Sequence, residues 1–222
     1  MSRKTSMDIF GEALLAFKNG NRSTFYLKDE KGEKHLYNLA ERFRPYSKLN
    51  KSEKKLVSLS HGDILDVGCG TGNIIPTLNK RGSVVGIDIS PRVIEVAKKN
   101  GCNNCIVANI FSYKPNRKFD TITFFGNNLG IGGTVDKTEK LLQNLKHLLK
   151  RDGQILAITH NYNAGNYKEM ILTPIWKNRH GSKFDWLIFN NNFLSKLCLE
   201  QNLKLQVIST SWKYRLVRIR KV

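Results

Sequence analysis

The feature that most constrains this chain is a glycine-rich turn that directly follows a short apolar run. Residues 64–67 have the apolar character of a buried strand and continue into Gly-Cys-Gly-Thr-Gly at residues 68–72. Glycines at the carboxyl end of a strand permit positive φ and let the backbone approach a ligand closely. A second apolar run, residues 83–87, ends in Asp88, whose carboxylate can accept hydrogen bonds from ribose hydroxyls. The pattern predicts a nucleoside site in an α/β fold.

The glycine spacing and one nearby acid distinguish between two classes of nucleoside ligand. Dinucleotide sites use Gly-x-Gly-x-x-Gly, which places a pyrophosphate on a helix N-terminus. Here the spacing is Gly-x-Gly-x-Gly, and Asp66 lies two residues before the first glycine. A carboxylate at this position repels a pyrophosphate but attracts the ammonium group of an amino acid. The loop therefore favours a nucleoside joined to an amino acid, and S-adenosylmethionine (SAM) fits that description.

Around this loop, apolar runs alternate with amphipathic stretches, which is typical of a parallel sheet covered by helices. The two final strands are separated by only four residues, so they must pair antiparallel. The helix at 134–150 is expected to end in the Lys-Arg-Asp-Gly sequence of residues 150–153. The other strands are expected at residues 106–108, 121–125, 154–159, 205–209 and 214–219, and the other helices at 73–80, from Pro91 onward and at 193–201.

Residues 1–60 do not follow this alternation and are predicted to form a helical and hairpin extension, or lid, on a main domain at 61–222. Ser6 is expected to cap a helix that continues to Phe17. A short hairpin is expected at residues 25–37, followed by an amphipathic stretch that Pro45 interrupts.

The alternation also breaks after Tyr162, and residues 163–188 are predicted to be irregular, within a substrate-facing insert at about 161–190. This segment interleaves aromatic and basic side chains. Three interpretations remain open: the aromatic residues line a substrate pocket, fill the core, or form a stacking and phosphate-binding surface. The residues concerned are Trp176, Lys177, Arg179, Lys183, Phe184 and Trp186.

Residues 64–100 resemble the motif I and post-I region of class I SAM-dependent methyltransferases, and the resemblance extends over most of residues 38–160. It implies an α/β, Rossmann-like fold whose seven-stranded sheet is mostly parallel, with an antiparallel C-terminal strand pair and helices on both faces. It also implies methyl transfer from SAM by in-line displacement, with S-adenosylhomocysteine (SAH) as product. The Gly-Asn-Asn-Leu-Gly-Ile-Gly-Gly run at 126–133 resembles a poorly characterised bacterial group of these enzymes and indicates no substrate.

The resemblance implies roles for individual residues. The motif I loop contacts the methionine half of SAM, Asp88 binds the ribose, and Ile89 flanks the adenine. Where the family usually has an acid after the third strand, this chain has Asn109, whose amide oxygen can still accept from the adenine amine. The residues expected to bind SAM in these ways are Asp66, Gly68, Cys69, Gly70, Asp88, Ile89, Asn109, Ile110 and Gly126.

Three further side chains are candidates on the same edge of the sheet. Asn127 lies where the family faces the transferred methyl group, but no prolines or stacking aromatic residue follow it, which disfavours the motif of amino-methylating DNA enzymes. His160 follows a strand and can take a proton from the acceptor, or it is structural. Arg44 can pair with the SAM carboxylate if the N-terminal segment folds over the site, or it is solvated.

The formal net charge of +19 is open to two interpretations. Such an excess attracts polyanions, but a Lys- and Asn-rich chain can also reflect compositional bias. We expect a small-molecule or peptide acceptor, with RNA or another nucleic acid as the alternative. A nucleotide-binding protein or dehydrogenase without methyl transfer is the second alternative.

Composition also limits the setting in which the protein works. No stretch of 18 or more apolar residues is present, and no apolar run follows the basic N-terminus, so we expect a cytoplasmic protein that does not cross a membrane. Cys102 and Cys105 have the spacing of half a metal or redox site, but no second pair accompanies them. We therefore expect reduced thiols and no metal. The oligomeric state is not indicated.

Overall fold

The computed structural model describes residues 8–222, which form two β-sheets and the helices that pack on them. The helices are α1 (Asp8–Lys18), α2 (Lys51–Leu59), α3 (Ile75–Leu78), α4 (Pro91–Lys99), α5 (Val135–Leu148) and α6 (Asn191–Glu200). The strands are β1 (Phe25–Lys28), β2 (Lys34–Tyr37), β3 (Gly62–Val67), β4 (Gly82–Asp88), β5 (Cys105–Val107), β6 (Phe119–Phe124), β7 (Leu149–His160), β8 (Tyr167–Trp176), β9 (Arg179–His180), β10 (Phe184–Phe189), β11 (Leu203–Thr210) and β12 (Tyr214–Lys221).

The larger sheet has seven strands in the order β11-β12-β7-β6-β3-β4-β5. The strands from β7 to β5 are parallel, whereas β12 is antiparallel to β7 and β11 is antiparallel to β12. This topology confirms the predicted Rossmann-like methyltransferase fold. Because the five parallel strands all end at one edge of the sheet, the residues that follow them are brought together there.

Helices cover both faces of this sheet, as predicted. Ile64 belongs to a core cluster with residues of α3 and α4, whereas its neighbour Leu65 belongs to the cluster that contains the leucines of α5 and α6. Successive side chains of a strand point to opposite faces, so a strand that is buried on both sides needs an apolar residue at nearly every position. Residues 64–67 of β3 are accordingly all buried, and Asp66 is the one charged residue among them.

The smaller sheet is antiparallel and has the order β10-β8-β1-β2, with β9 also paired to β8. The hairpin predicted near residues 25–37 is confirmed as β1 and β2. The prediction that residues 163–188 are irregular is wrong, because they form β8, β9 and β10. Pro174 obscured β8, since proline is disfavoured in strands. The partner of β8 is also β1, which lies far away in the sequence.

Most element boundaries differ from the sequence predictions by a few residues, and two differences change how a segment is described. The helix α5 ends at Leu148, not at residues 150–153, because the fully buried Leu149 already pairs with Phe119 as the first residue of β7. The amphipathic stretch after residue 38 forms two short 3-10 helices on either side of Pro45 before α2 begins at a capping box of Asn50 and Glu53. Ser6, the expected cap of α1, lies outside the described residues. In the part of the chain that is described, no helix is long and apolar enough to cross a membrane.

Candidate active site

The glycine loop lies at the carboxyl end of β3 in the conformation that its composition predicts. Gly68, Gly70 and Gly72 have φ values of +70°, +56° and +73°, which side chains with a Cβ rarely adopt. The backbone N–H groups of Gly68 and Cys69 both donate to the carbonyl of Ile87, at 2.8 and 3.0 Å. These bonds hold the loop against the end of β4, so the loop and the acid that follows β4 form one site.

Asp88 ends β4 and contacts the glycine loop directly. Its carboxylate accepts hydrogen bonds from the backbone N–H of Gly70 at 3.3 Å and of Ser90 at 3.0 Å. Burial raises the pKa of this carboxyl to about 6, against the effect of those backbone donors. Ile89 follows it with 43% of its surface exposed, which leaves an apolar side chain beside the acid for a flat base to cover. A carboxylate that can accept hydrogen bonds from hydroxyl groups and an exposed apolar side chain are therefore adjacent.

Asp66 is a buried carboxylate beneath the same loop. It is 3% exposed, and the hydroxyl of Thr123 donates to it at 2.7 Å. Burial raises its pKa to about 7, although that hydrogen bond lowers it, and the charge of Asp88 raises it further. A cation that binds next to Asp66 would favour its ionised form, so the site is suited to the ammonium group of an amino acid.

Asn127 and Asn128 connect the end of β6 to the strands on both sides of it. Asn127 has a φ of +66°, and its side-chain oxygen accepts from the backbone N–H of His160, at the end of β7, at 3.2 Å. The side chain of Asn128 donates to the carbonyls of Val67 and Gly68, at 3.3 and 3.0 Å. This contact of Asn128 could not be predicted from the sequence, because nothing in the spacing shows that Asn128 reaches the loop after β3.

His160 is positioned at the same edge, with its ring against that of Tyr214 at a centroid distance of 5.4 Å. Within the described residues the imidazole nitrogens have no hydrogen-bond partner. Burial lowers the pKa of this histidine below its usual 6.5, and the charge of Lys213 lowers it further. The ring is therefore neutral at physiological pH, which is the state that can accept a proton.

The structure gives Arg44 a different environment from the one expected. Its guanidinium pairs with Glu41 at 2.8 Å and with Glu53 at 3.0 Å, so two carboxylates of the chain already satisfy it. The neighbouring Arg42 instead lies over the ring of Tyr37, and its Nη1 is 3.4 Å from where a Cβ on Gly126 would be. The pairing of Arg44 with Glu53 could not be predicted from the sequence, because it depends on the turn between the two residues.

The remaining residues that were expected to bind the cofactor differ in how far their side chains are exposed. Asn109 is exposed, and its side-chain oxygen accepts from the backbone N–H of Phe111 at 3.0 Å, which fixes its orientation. Ile110 is only 4% exposed and belongs to the main core, so a contact with a ligand would have to come from its backbone. Cys69 is likewise buried, and its thiol contacts that of Cys105; all four cysteines are free and buried.

The smaller sheet covers the loop that follows β6. Glycine is required at position 130 because a Cβ there would overlap the carbonyl of Leu187 and lie 2.9 Å from Trp186 Nε1. A Cβ on Gly133 would similarly meet Asp185, at 2.6 Å. Strand β10 therefore lies directly on the 3-10 helix Asn128–Gly132. Of the aromatic residues left open by the sequence, Trp186 contacts this loop, whereas Trp176 is buried in the core formed by α1, α4 and the hairpin.

This combination of a Rossmann-like sheet, a Gly-x-Gly-x-Gly loop and two acids defines a nucleoside-binding protein of the methyltransferase type. A family model described as a methyltransferase domain matches residues 58–204, so the chain belongs to that family. It is 30% identical to the ubiquinone biosynthesis O-methyltransferase of Pelagibacter ubique over 190 residues, which cover 75% of this chain and 73% of that protein.

Solved structures show the same fold. A SAM-dependent methyltransferase from Bacteroides fragilis, in complex with SAH, superposes with a TM-score of 0.89 at 24% identity and covers 99% of this chain and 97% of its own. The SAM-bound amino pentose methyltransferase CalS10 from Micromonospora echinaspora has a TM-score of 0.61 at 14% identity and covers 85% and 100%. The chain is therefore a SAM-dependent methyltransferase, and the alternative of a dehydrogenase is not supported.

Proposed function

We propose that this enzyme methylates a small molecule whose acceptor atom enters beneath the smaller sheet. The observation that carries this proposal is the contact between β10 and the loop after β6, where Gly130 and Gly133 leave no space for a side chain. Asn127, on that loop, is only 1% exposed. Because β10 covers this loop, we expect an acceptor that reaches Asn127 to be a small molecule or a single extended side chain rather than an intact nucleic-acid duplex.

The residues around the loop are suited to hold SAM. Asp66 would face the ammonium group, Asp88 the ribose hydroxyls, and Ile89 the adenine, while the backbone of Gly68 and Gly70 would line the methionine half. When bound, SAM supplies a methyl group that its sulfonium already activates for in-line displacement. The main contribution of the protein is then to orient the acceptor and to exclude water.

His160 is proposed as the proton acceptor for an acceptor atom that must lose a proton. Its ring is neutral and its nitrogens have no partner within residues 8–222. The side chain of Asn127 accepts a hydrogen bond from the backbone N–H of His160 and thereby fixes the position of the backbone that carries the imidazole. A phenol, alcohol or protonated amine would need such a base, whereas a neutral amine would not.

The names of the relatives support a small acceptor. The Pelagibacter protein is named for O-methylation in ubiquinone biosynthesis, and CalS10 is described as an amino pentose methyltransferase. Both names refer to small molecules, although they differ in whether an oxygen is specified. We therefore propose the class of acceptor and not the acceptor itself.

A nucleic-acid acceptor is the alternative, favoured by the net charge of +19. The two acceptor classes differ in salt dependence. Because each neutralised phosphate releases counterions, RNA binding that uses several phosphate contacts would weaken by about 10³-fold or more between 50 and 200 mM salt. Methyl transfer to a small molecule should change little over this range.

The decisive experiment is methyl transfer from isotope-labelled SAM into fractionated cell extract, with nuclease and protease treatments in parallel. We expect the label in low-molecular-mass material that neither treatment affects, and at similar yield at both salt concentrations. Label that nuclease removes would replace the proposal with the nucleic-acid alternative. Label that protease removes would indicate a peptide side chain.

A further inference from the structure

The N-terminal helix α1 is attached to the segment that follows Asp88. Asp8, in the first turn of α1, accepts a hydrogen bond from the hydroxyl of Ser90 at 2.9 Å. The oxygen of the same hydroxyl accepts from the backbone N–H of Val93 at 3.3 Å and caps α4. Because Ser90 is fully buried, solvent cannot readily replace the carboxylate of Asp8 as the acceptor. The hydroxyl of Ser90 is therefore held as a donor and as an acceptor.

Ser90 in turn holds the carboxylate of Asp88. The backbone N–H of Ser90 donates to Oδ1 of Asp88 at 3.0 Å, and the backbone N–H of Gly70 donates to Oδ2 at 3.3 Å. Each carboxylate oxygen can accept a further hydrogen bond. Asp88 is partly exposed, whereas Asp8 and Ser90 are buried. Asp88 is therefore the member of this series of contacts that can meet a ligand, and the other two can act only through it.

The packing of α1 on α4 holds Asp8 in this place. A Cβ on Gly11 would lie 2.5 Å from the Cβ of Arg92 and 2.7 Å from the backbone nitrogen of Val93, so the two helices touch at their backbones. Ile9 also belongs to the same core cluster as Val93. This contact lies within one turn of Asp8 along α1. The carboxylate of Asp8 is therefore fixed relative to the first turn of α4.

We propose that Asp8 is a positioning residue for Asp88 and acts through Ser90. By accepting from the hydroxyl of Ser90, Asp8 fixes the capping residue whose backbone N–H orients the carboxylate of Asp88. This inference rests on the proposed contact between Asp88 and the ribose hydroxyls of SAM. It assigns to the N-terminal extension a part in cofactor binding, which is different from covering the acceptor.

A general structural role of Asp8 would have other consequences. If Asp8 only stabilised the packing of α1, its loss would weaken the binding of every nucleoside alike. If Asp8 orients Asp88, its loss weakens only those ligands that carry ribose hydroxyls, because these are the groups that donate to Asp88. Ligands that differ in the ribose alone therefore distinguish the two roles.

The test measures the affinity of three ligands by calorimetry. They are SAH, 5′-methylthioadenosine, which is a thioether of adenosine without the amino-acid group, and 2′,3′-dideoxy-5′-methylthioadenosine, which lacks both ribose hydroxyls. Asp8→Ala removes the acceptor of the Ser90 hydroxyl, whereas Asp8→Asn retains an oxygen that can accept from it. Ser90→Gly removes the hydroxyl and retains the backbone N–H, and glycine is tolerated at a helix N-cap. The matched control is Glu12→Ala, since Glu12 lies on the same helix but pairs with Arg179 at 2.6 Å.

We expect Asp8→Ala and Ser90→Gly to lower the affinity for SAH and for 5′-methylthioadenosine by about threefold to tenfold, and that for the dideoxy ligand by less than about twofold. Asp8→Asn and Glu12→Ala should bind all three ligands within about twofold of the wild type. In the Asp88→Ala background, Asp8→Ala should cause no further loss, because the carboxylate that it orients is absent.

A loss that is equal for 5′-methylthioadenosine and its dideoxy form would indicate a structural role of Asp8 and overturn the proposal. If Asp8→Ala does not fold, Ser90→Gly decides the same question. Asp88→Ala separates failure of this inference from failure of the ribose assignment. If Asp88→Ala weakens both forms equally, Asp88 does not bind the ribose, and both proposals are wrong. If only Asp88→Ala is selective for the ribose hydroxyls, the positioning role alone is wrong.

Discussion

The two sheets of this protein differ in how the chain specifies them. In the larger sheet the cofactor side of the site comes from consecutive segments, since the loop after β3 and the acid that ends β4 lie within residues 67–88. The smaller sheet joins β1 to β8, so its formation depends on pairing between distant parts of the chain. The difference teaches that the part of the site with the glycine loop and the acids is encoded locally, whereas the part that we propose to cover the acceptor is assembled from remote segments.

The two halves meet at Asn127 and Asn128, and this junction makes the comparison testable. Asn128 contacts the loop on the cofactor side, and Asn127 contacts His160 on the acceptor side. Changes on the acceptor side should affect turnover and leave SAH affinity intact. Changes on the cofactor side should affect SAH affinity first.

The largest effect is expected at His160, on the acceptor side. Replacing a general base typically lowers the rate by 100- to 10,000-fold, so His160→Gln should reduce kcat by about this factor while SAH affinity stays within about twofold. Because only the neutral imidazole accepts a proton, kcat/KM of the wild type should fall as the pH drops through the lowered pKa of His160, below 6.5. Labelled methyl transfer across a pH series measures both quantities. A variant that keeps the kcat and pH profile of the wild type would remove His160 from the mechanism.

The next largest effects are expected from two glycine replacements, one in each half of the site. Gly68→Ala introduces a Cβ at a φ of +70°, where it overlaps the side chain of Asn128. This change should lower the affinity for SAH by about tenfold to a hundredfold. Gly130→Ala introduces a Cβ against the carbonyl of Leu187 and should displace β10, lowering kcat/KM by a similar factor with SAH affinity retained. Calorimetry and turnover on both variants measure these effects. If each variant lowers SAH affinity and kcat/KM equally, the distinction between the two halves of the site is wrong.

The sequence predicted the larger sheet well because its signals are local. Short runs rich in apolar residues, the Ser90 cap followed by Pro91, and the antiparallel end pair all identify elements without knowledge of distant partners. Of the smaller sheet, the hairpin β1–β2 was predicted, but β8, β9 and β10 were missed, because Pro174 is disfavoured in a strand and the turn at Lys177 and Asn178 has positive φ values without a glycine to indicate it. In the site, glycines and acids could be predicted from spacing, but the ion pair of Arg44 with Glu53 could not, since it depends on the three-dimensional path of the turn between them.

A smaller effect, through Asp66, tests the electrostatics of the cofactor side. Burial raises the pKa of Asp66 in the folded protein to about 7, above the usual 3.8 of an aspartate, so this group favours unfolding increasingly as the pH rises from about 4 to about 7. The ammonium group of SAH should bind the ionised form of Asp66. Because that form becomes more populated as the pH rises, SAH affinity should rise by up to about tenfold between pH 6 and pH 8. Asp66→Asn should remove most of this dependence and stabilise the ligand-free protein more at pH 8 than at pH 5. Calorimetry and thermal unfolding are the measurements. Asp88→Asn is the variant for comparison. Burial raises the pKa of Asp88 to about 6, so its effect on stability has the same dependence on pH as that of Asp66.

The smallest effect is expected at Asn109, where the chain departs from the acid that is usual in its family. Asn109→Asp retains the oxygen that accepts from the backbone of Phe111 and adds a charge that an adenine amine can donate to, so SAH affinity should rise a few-fold. Asn109→Ala removes both contacts and should lower it by a similar factor. The same changes should appear with 5′-methylthioadenosine, since the adenine is common to both ligands. If the two variants bind SAH equally well, Asn109 does not contact the base, and adenine recognition rests on Ile89 and the backbone.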